Sequence, residues 1–147
     1  MASTFDRECA YEYGLALGNE AKAGGIHLLL TPRVNIVRDP VSLKGTSNGG
    51  NYQTYGEDPV LNGEMGAQEA NGIQKDNHAL ANLKQMVASS TGAAQGAGNC
   101  IVDEQTLHEL YMRPYELVMK AGVASAMTNY NQVNGTWTYD YGHMMDE

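Results

Sequence analysis

Ile26-His-Leu-Leu-Leu30 is the stretch that decides the fold. It is short and continuously apolar, lying between Gly24-Gly25 and a polar, turn-rich passage, which is the pattern of a parallel strand covered on both faces. Upstream, Thr4 to Asp6 offers capping side chains, and Arg7 to Ala23 predicts a helix with Ala10, Tyr13, Leu17 and Ala21 at 3- and 4-residue spacing. Gly24-Gly25 ends that helix. His27, at the start of the strand, reads as structural.

Downstream, Asn35 to Pro59 is polar and rich in turn residues, the kind of passage on which an α/β scaffold builds a site. Asp58 is a good N-cap, and Pro59 suits the first helical position because its missing N–H would be unpaired there anyway. A second helix follows from Val60 to about Gln74, its apolar side made by Leu61, Met65 and Ile73 with Ala67 and Ala70. Ala79 to Met86 predicts a second strand. The small-residue stretch 87–102 predicts a flexible loop. Its glycines lack the Lys-Ser/Thr ending of a phosphate-binding loop.

Asp103 caps a third helix that Pro114 should kink or divide, because proline removes one internal hydrogen bond and crowds the preceding turn. Gly122 ends it, Val123 to Tyr130 predicts a third strand, and Asn131 to Gly135 reads as a turn. Residues 138–147 read as a tail. The alternation calls for a parallel sheet with right-handed crossovers. The expected fold is therefore α/β, with about three parallel strands and three main helices in one domain spanning residues 1–147.

With 147 residues, 42% of them hydrophobic, the chain has material for one core. A formal charge of -8 and nine scattered Lys and Arg disfavour nucleic-acid binding. No apolar run approaches the roughly 20 residues of a membrane span, and the N-terminus has neither the basic nor the apolar region of a secretion signal. Cys9 and Cys100 lack metal-type spacing and read as reduced thiols. Neither a metal nor a cofactor is expected.

The three strands end at Arg38-Asp39, Lys84-Gln85 and Asn129-Tyr130, which would share one face of a barrel. That set is rich in hydrogen-bond donors and suits a polyhydroxylated ligand. It is a binding constellation, because the common route of glycosidic hydrolysis needs two carboxylates about 5–5.5 Å apart for retention. Asp58 is better read as a helix cap and Glu57 as its neighbour in the turn. Asp39 could shape its loop, pair with Arg38 or touch a ligand. His108 and Glu109 read as solvated helix residues.

Several stretches together resemble glycoside hydrolase family 3, the β-glucosidase-type enzymes. They are Leu17 to Ala23, Leu30 to Pro40, Tyr55-Gly-Glu-Asp-Pro59, Val102 to Tyr111 and Met127-Thr-Asn-Tyr-Asn-Gln-Val-Asn-Gly135, in that family's order. The resemblance implies a partial TIM-barrel-like domain. It also implies that Lys84 binds sugar hydroxyls beside the cleaved bond and that Tyr130 lies near the reactive carbon. The substrate-binding set is then Lys84, Gln85, Tyr130, Arg38, Asp39 and Met127, with a β-glucoside-like carbohydrate as partner and no catalytic residue among them.

The departures are specific. Lys84-Gln85-Met86 stands where the family has Lys-His-Phe, so an imidazole contact becomes an amide. Gly49-Gly50-Asn51-Tyr52-Gln53 lacks the family's sugar-binding Arg and following Glu, and Lys44, in the lengthened part of that loop, cannot reproduce the bidentate geometry of Arg. The family's nucleophile and acid/base are expected beyond these residues, so the chain alone is expected to be inactive. The expectation is a fragment or degenerate relative of such an enzyme, the alternative a non-catalytic carbohydrate-binding or assembly protein. Open sheet edges would favour self-association.

Overall fold

The computed structural model describes residues 1–38, 50–88 and 98–142. Helix α1 (Arg7–Ala23) is capped by Asp6, whose carboxylate accepts from the N–H groups of Glu8 and Cys9. It ends in a Schellman motif: Gly25 has φ +68°, Ile26 N–H donates to Ala21 and Gly25 N–H to Lys22. The diglycine thus turns the chain directly into strand β1 (Leu28–Leu29).

Helix α2 (Pro59–Ile73) begins at Asp58, which accepts from Leu61 N–H at 2.6 Å. Asn62 fixes the preceding turn by accepting from Tyr55 N–H and donating to the carbonyls of Gly56 and Asp58. Strand β2 (Leu80–Met86) lies at the centre of a parallel sheet, with β1 on one side and β4 (Ser125–Thr128) on the other. Leu28 and Leu29 pair with Leu80 and Ala81, while Asn82 and Leu83 pair with Ser125 and Ala126.

Gln74, just after α2, ties the layers together. Its Oε1 accepts from Ala81 and Ala124 N–H and its Nε2 donates to the Gly122 carbonyl, so one amide joins the starts of β2 and β4.

Contrary to the expectation of a strand covered on both faces, Ile26, Leu28 and Leu30 are exposed by 49%, 40% and 53%. The reason is position: β1 is a sheet edge, and no described element covers the face that Leu28 shares with its partner Leu80. The ladder nevertheless continues past β1. Asn82 and Lys84 donate backbone N–H to Thr31 and Pro32, and Val34 donates to Lys84, which sets Arg33 beside Lys84 in parallel register.

The core lies under the other face, where Ala81, Leu83, Met65, Ala70, Ile73, Tyr115 and Val118 are buried. Helix α2 is covered on nearly all sides, more than its modest apolar side predicts, because its glycines let neighbours approach. An added Cβ on Gly72 would sit 2.2 Å from the Tyr11 carbonyl oxygen of α1, and one on Gly63 would sit 2.5 Å from Leu117.

The third helical region is divided as Pro114 requires. Short α3 (Glu104–Thr106), capped by Asp103, passes into a π-helical segment (Leu107–Met112) and then α4 (Arg113–Lys120), with Pro114 near the α4 start. The widened i→i+5 turn absorbs the missing N–H.

A second small sheet corrects two expectations. Asn99–Cys100, the end of the expected flexible loop, forms β3, which pairs in parallel with β5 (Gln132–Val133). The expected turn 131–135 narrows to Asn134-Gly135, with φ +50° and +87°, joining β5 to β6 (Thr136–Trp137) as a two-residue hairpin. Asn134 also bonds Val102 N–H and carbonyl. These strands are too short to show alternation, and β3 finds its partner more than 30 residues away. Residues 89–97, most of the expected loop, lie outside the described residues.

The expected tail begins instead with a helical turn, Thr138–Asp140. Thr138 is buried there because its hydroxyl donates to the Asn129 carbonyl and its N–H to that of Asn131. Residues 143–147 lie outside the described residues.

Candidate functional site

A cavity of about 830 Å³ opens between residues 1–3, the middle of α1, the end of β1 and the turn before α2. Its lining includes Tyr13 and Leu17 of α1, Leu29, Leu30, Thr31 and Arg33 on the extended first strand, Tyr52 to Tyr55, Glu69 of α2 and Lys84 of β2. Lys84 is half-buried, and its ammonium is held below the usual range by burial and by the charge of Arg33. Arg33 is only 8% exposed, its Nε has no hydrogen-bond partner, and burial also lowers its pKa.

Beneath Lys84, the end of β2 is held by a reciprocal pair. Asn35 Oδ1 accepts from Gln85 N–H at 2.9 Å, and Asn35 Nδ2 donates to the Gln85 carbonyl at 3.0 Å. The buried Tyr115 hydroxyl donates to the same carbonyl at 2.6 Å.

Glu69 is the carboxylate on this cavity. One of its oxygens accepts from the Thr31 hydroxyl and the other from the Tyr55 hydroxyl. Burial pushes its pKa up against the pull of those two hydrogen bonds, and burial together with the Glu69 carboxylate pushes the Tyr55 phenol up. Accepting one hydroxyl on each oxygen, Glu69 fastens the end of β1 to the turn before α2. Asp58 is spent as a helix cap and Glu57 is exposed beside it. Among the described residues the cavity therefore offers donors and one engaged carboxylate, an arrangement that can bind but lacks the carboxylate pair of glycosidic hydrolysis.

Of the sequence-predicted substrate-binding residues, Lys84 lines this cavity. Gln85 is buried behind it, with its Oε1 unpartnered. Met127 is half-buried within β4, Tyr130 is 52% exposed beyond the end of that strand, and Arg38 is exposed where the described segment ends. Asp39 and Lys44 lie outside the described residues. His108 is exposed within ion-pair distance of Glu104, and Cys9 and Cys100 are free thiols. Among the described residues no His, Cys, Asp and Glu group could hold a metal, and no helix is long and apolar enough to cross a membrane.

Sequence reasoning missed Arg33, Glu69 and the tyrosines of the lining. The available signal was the isolated Glu69 amid small residues on the core side of a helix, and an Arg only one residue beyond the Thr31-Pro32 bend.

A parallel β/α unit with a cavity at its strand ends defines a portion of a β/α-barrel domain. Residues 1–144 match the glycosyl hydrolase family 3 N terminal domain, and the chain belongs to that family. It is 39% identical over 139 residues to a β-glucosidase of Rhizobium radiobacter, covering 94% of this chain and 16% of that protein. To a probable β-glucosidase J of Emericella nidulans it is 35% identical, covering 92% and 15%. The structure of β-glucosidase 3B from Thermotoga neapolitana in complex with glucose superposes with a TM-score of 0.85 at 36% identity, covering 93% of this chain and 18% of that one. The partial TIM-barrel fold expected from the sequence is thus the fold found, and the chain spans less than a fifth of these relatives.

Proposed function

We propose that this chain carries part of the sugar-binding face of a β-glucosidase-type glycoside hydrolase, and that these residues alone bind a β-glucoside-like sugar without cleaving it. The whole enzyme's reaction would be retaining hydrolysis of a terminal β-linked sugar through a glycosyl-enzyme intermediate. The observation that carries this reading is Lys84, presented by the central strand to a cavity whose one described carboxylate holds two hydroxyls of the fold. Lys84 then serves as hydroxyl donor to the sugar, with Tyr130, Met127, Arg38 and Asp39 as further contacts reached from the neighbouring strand ends.

The test is calorimetric titration with glucose and cellobiose, beside turnover of an aryl β-glucoside by the purified chain. Binding that weakens in Lys84→Ala, without turnover, is expected. Turnover abolished by Lys84→Ala would overturn the absence of chemistry, and no heat with either sugar would overturn the binding.

A non-catalytic carbohydrate-binding or assembly protein on the same scaffold is the second reading. It is favoured by Gln85, whose side chain is buried and does not line the cavity. Open edges at β1 and β4 support self-association, which sedimentation velocity over a concentration series would reveal as a rising sedimentation coefficient.

A further inference from the structure

Asn134-Gly135, the turn between β5 and β6, has both residues at positive φ and is bonded to residues 99–102 through backbone and side chain. Asn134 N–H donates to the Cys100 carbonyl at 2.9 Å. Asn134 Oδ1 accepts from Val102 N–H at 2.9 Å, and its Nδ2 donates to the Val102 carbonyl at 2.8 Å. Gly135 N–H donates to Asn99 Oδ1 at 2.9 Å. The turn therefore holds β3 beside β5.

The same two residues can change their own covalent structure. Asparagine is thermolabile, and before glycine no Cβ screens the following backbone nitrogen from its side chain. That nitrogen attacks the side-chain Cγ, the Cγ–Nδ2 bond breaks, and the nitrogen's proton leaves with ammonia. Water then opens the cyclic imide at either carbonyl, giving aspartate or isoaspartate. In this fold both reacting groups are tied: the Val102 bonds fix the Asn134 side chain, and the Asn99 bond fixes the peptide plane of Gly135.

We propose that Asn134-Gly135 is a deamidation site guarded by Asn99 and Val102, and that its conversion undocks β3. In aspartate the donor to the Val102 carbonyl becomes a charged oxygen facing another acceptor. Isoaspartate also adds a backbone carbon to a turn whose length sets the pairing of Gln132 with Trp137. The site is separate from the sugar-binding reading, since none of these residues lines the cavity.

The experiment incubates the full chain in mildly alkaline buffer, with and without urea, and follows Asn134 by peptide mapping, while far-UV circular dichroism reports the fold. Deamidation of Asn134 is expected in urea and about tenfold or more slower without it, because more than one hydrogen bond must open first. Without urea, Asn99→Ala should deamidate about fivefold faster than the parent, the factor that one net hydrogen bond carries. Asn99→Asp keeps an acceptor for Gly135 N–H and should react at the parent's rate. In the isolated aspartate and isoaspartate forms, amide hydrogen exchange at residues 99–102 should rise. Equal rates with and without urea, or a folded Asn99→Ala reacting at the parent's rate, overturn the guard. No deamidation in urea overturns the site, and exchange unchanged by conversion overturns the undocking. Should Asn99→Ala not fold, Asn99→Asp and the urea comparison on the unaltered chain still decide.

Discussion

Replacing Asn35 by alanine should destabilise the domain far more than its size suggests. Asn35 is 4% exposed and makes two bonds to the backbone of one residue, accepting from Gln85 N–H and donating to the Gln85 carbonyl. The two losses are unequal. The carbonyl keeps the Tyr115 hydroxyl at 2.6 Å, so losing the Asn35 donor costs about 1 kcal/mol, the net value of an ordinary hydrogen bond. The N–H loses the partner that satisfies it, and a buried unsatisfied donor costs about 1–3 kcal/mol.

The sum is about 3 kcal/mol, which for a domain of this size lowers the melting temperature by roughly 9 °C. Tyr115→Phe is the control. It removes one of two donors from the same carbonyl and orphans nothing, so about 1 kcal/mol and roughly 3 °C are expected. Thermal melts followed by far-UV circular dichroism, with urea titrations for the free energies, measure both. If Asn35→Ala melts no lower than Tyr115→Phe, the reciprocal pair is not what fixes the end of β2.

Two further perturbations test the packing and the buried carboxylate. In Glu69→Gln the sign follows from burial. The native pKa is raised above its ordinary 4.5, so between that value and the raised one the native state holds more protons than the unfolded chain, and stability falls as pH rises through the window. The amide does not titrate, so the difference in melting temperature, variant minus parent, should grow from pH 4.5 upward; a constant difference refutes the assignment. In Gly72→Ala the new Cβ would meet the Tyr11 carbonyl oxygen at 2.2 Å and the Leu15 nitrogen at 2.6 Å, backbone atoms that cannot swing aside. Overpacking of about 3 kcal/mol, offset by about 1 kcal/mol of helix propensity, leaves a loss of about 2 kcal/mol in urea titrations. A stabilised variant would mean that α1 and α2 are not in close contact.

The fold was legible where a single local rule decided the outcome. Asp58-Pro59 started α2, Gly24-Gly25 stopped α1, and Pro114 divided the third helical region, each acting through backbone groups a few residues away. What stayed hidden depends on distant partners. The run Ile26 to Leu30 reads as a buried strand because hydropathy reports preference for burial, while actual cover depends on which elements lie over that face. The close approach of α1 and α2 is written in Gly14, Gly18 and Gly72, residues that in a helical stretch read only as weak helix formers. Asn99–Cys100 had no pattern of its own, and its pairing is set by β5 and by the side chain of Asn134. At the site, Lys84 was legible from its place at the end of the second strand as well as from resemblance; Arg33 was not, because its neighbour in the sheet lies some 50 residues on in the chain.

The same contacts explain how Lys84 can keep its aim while position 85 changes. Both bonds from Asn35, and the one from Tyr115, reach the peptide N–H and carbonyl of residue 85, never its side chain. Such a network holds the backbone whatever residue occupies the position. An amide at position 85, where an imidazole was expected from the resemblance, therefore leaves the strand that carries Lys84 in place. Ligand affinity and strand geometry are separable here: Asn35→Ala perturbs the geometry and with it the aim of Lys84, whereas Gln85→His leaves the peptide network in place and alters what the side chain can offer. Because that side chain is buried and does not line the cavity, Gln85→His should leave glucose binding unchanged at an unchanged melting temperature. An altered melting temperature would show that the buried Gln85 side chain carries part of the fold.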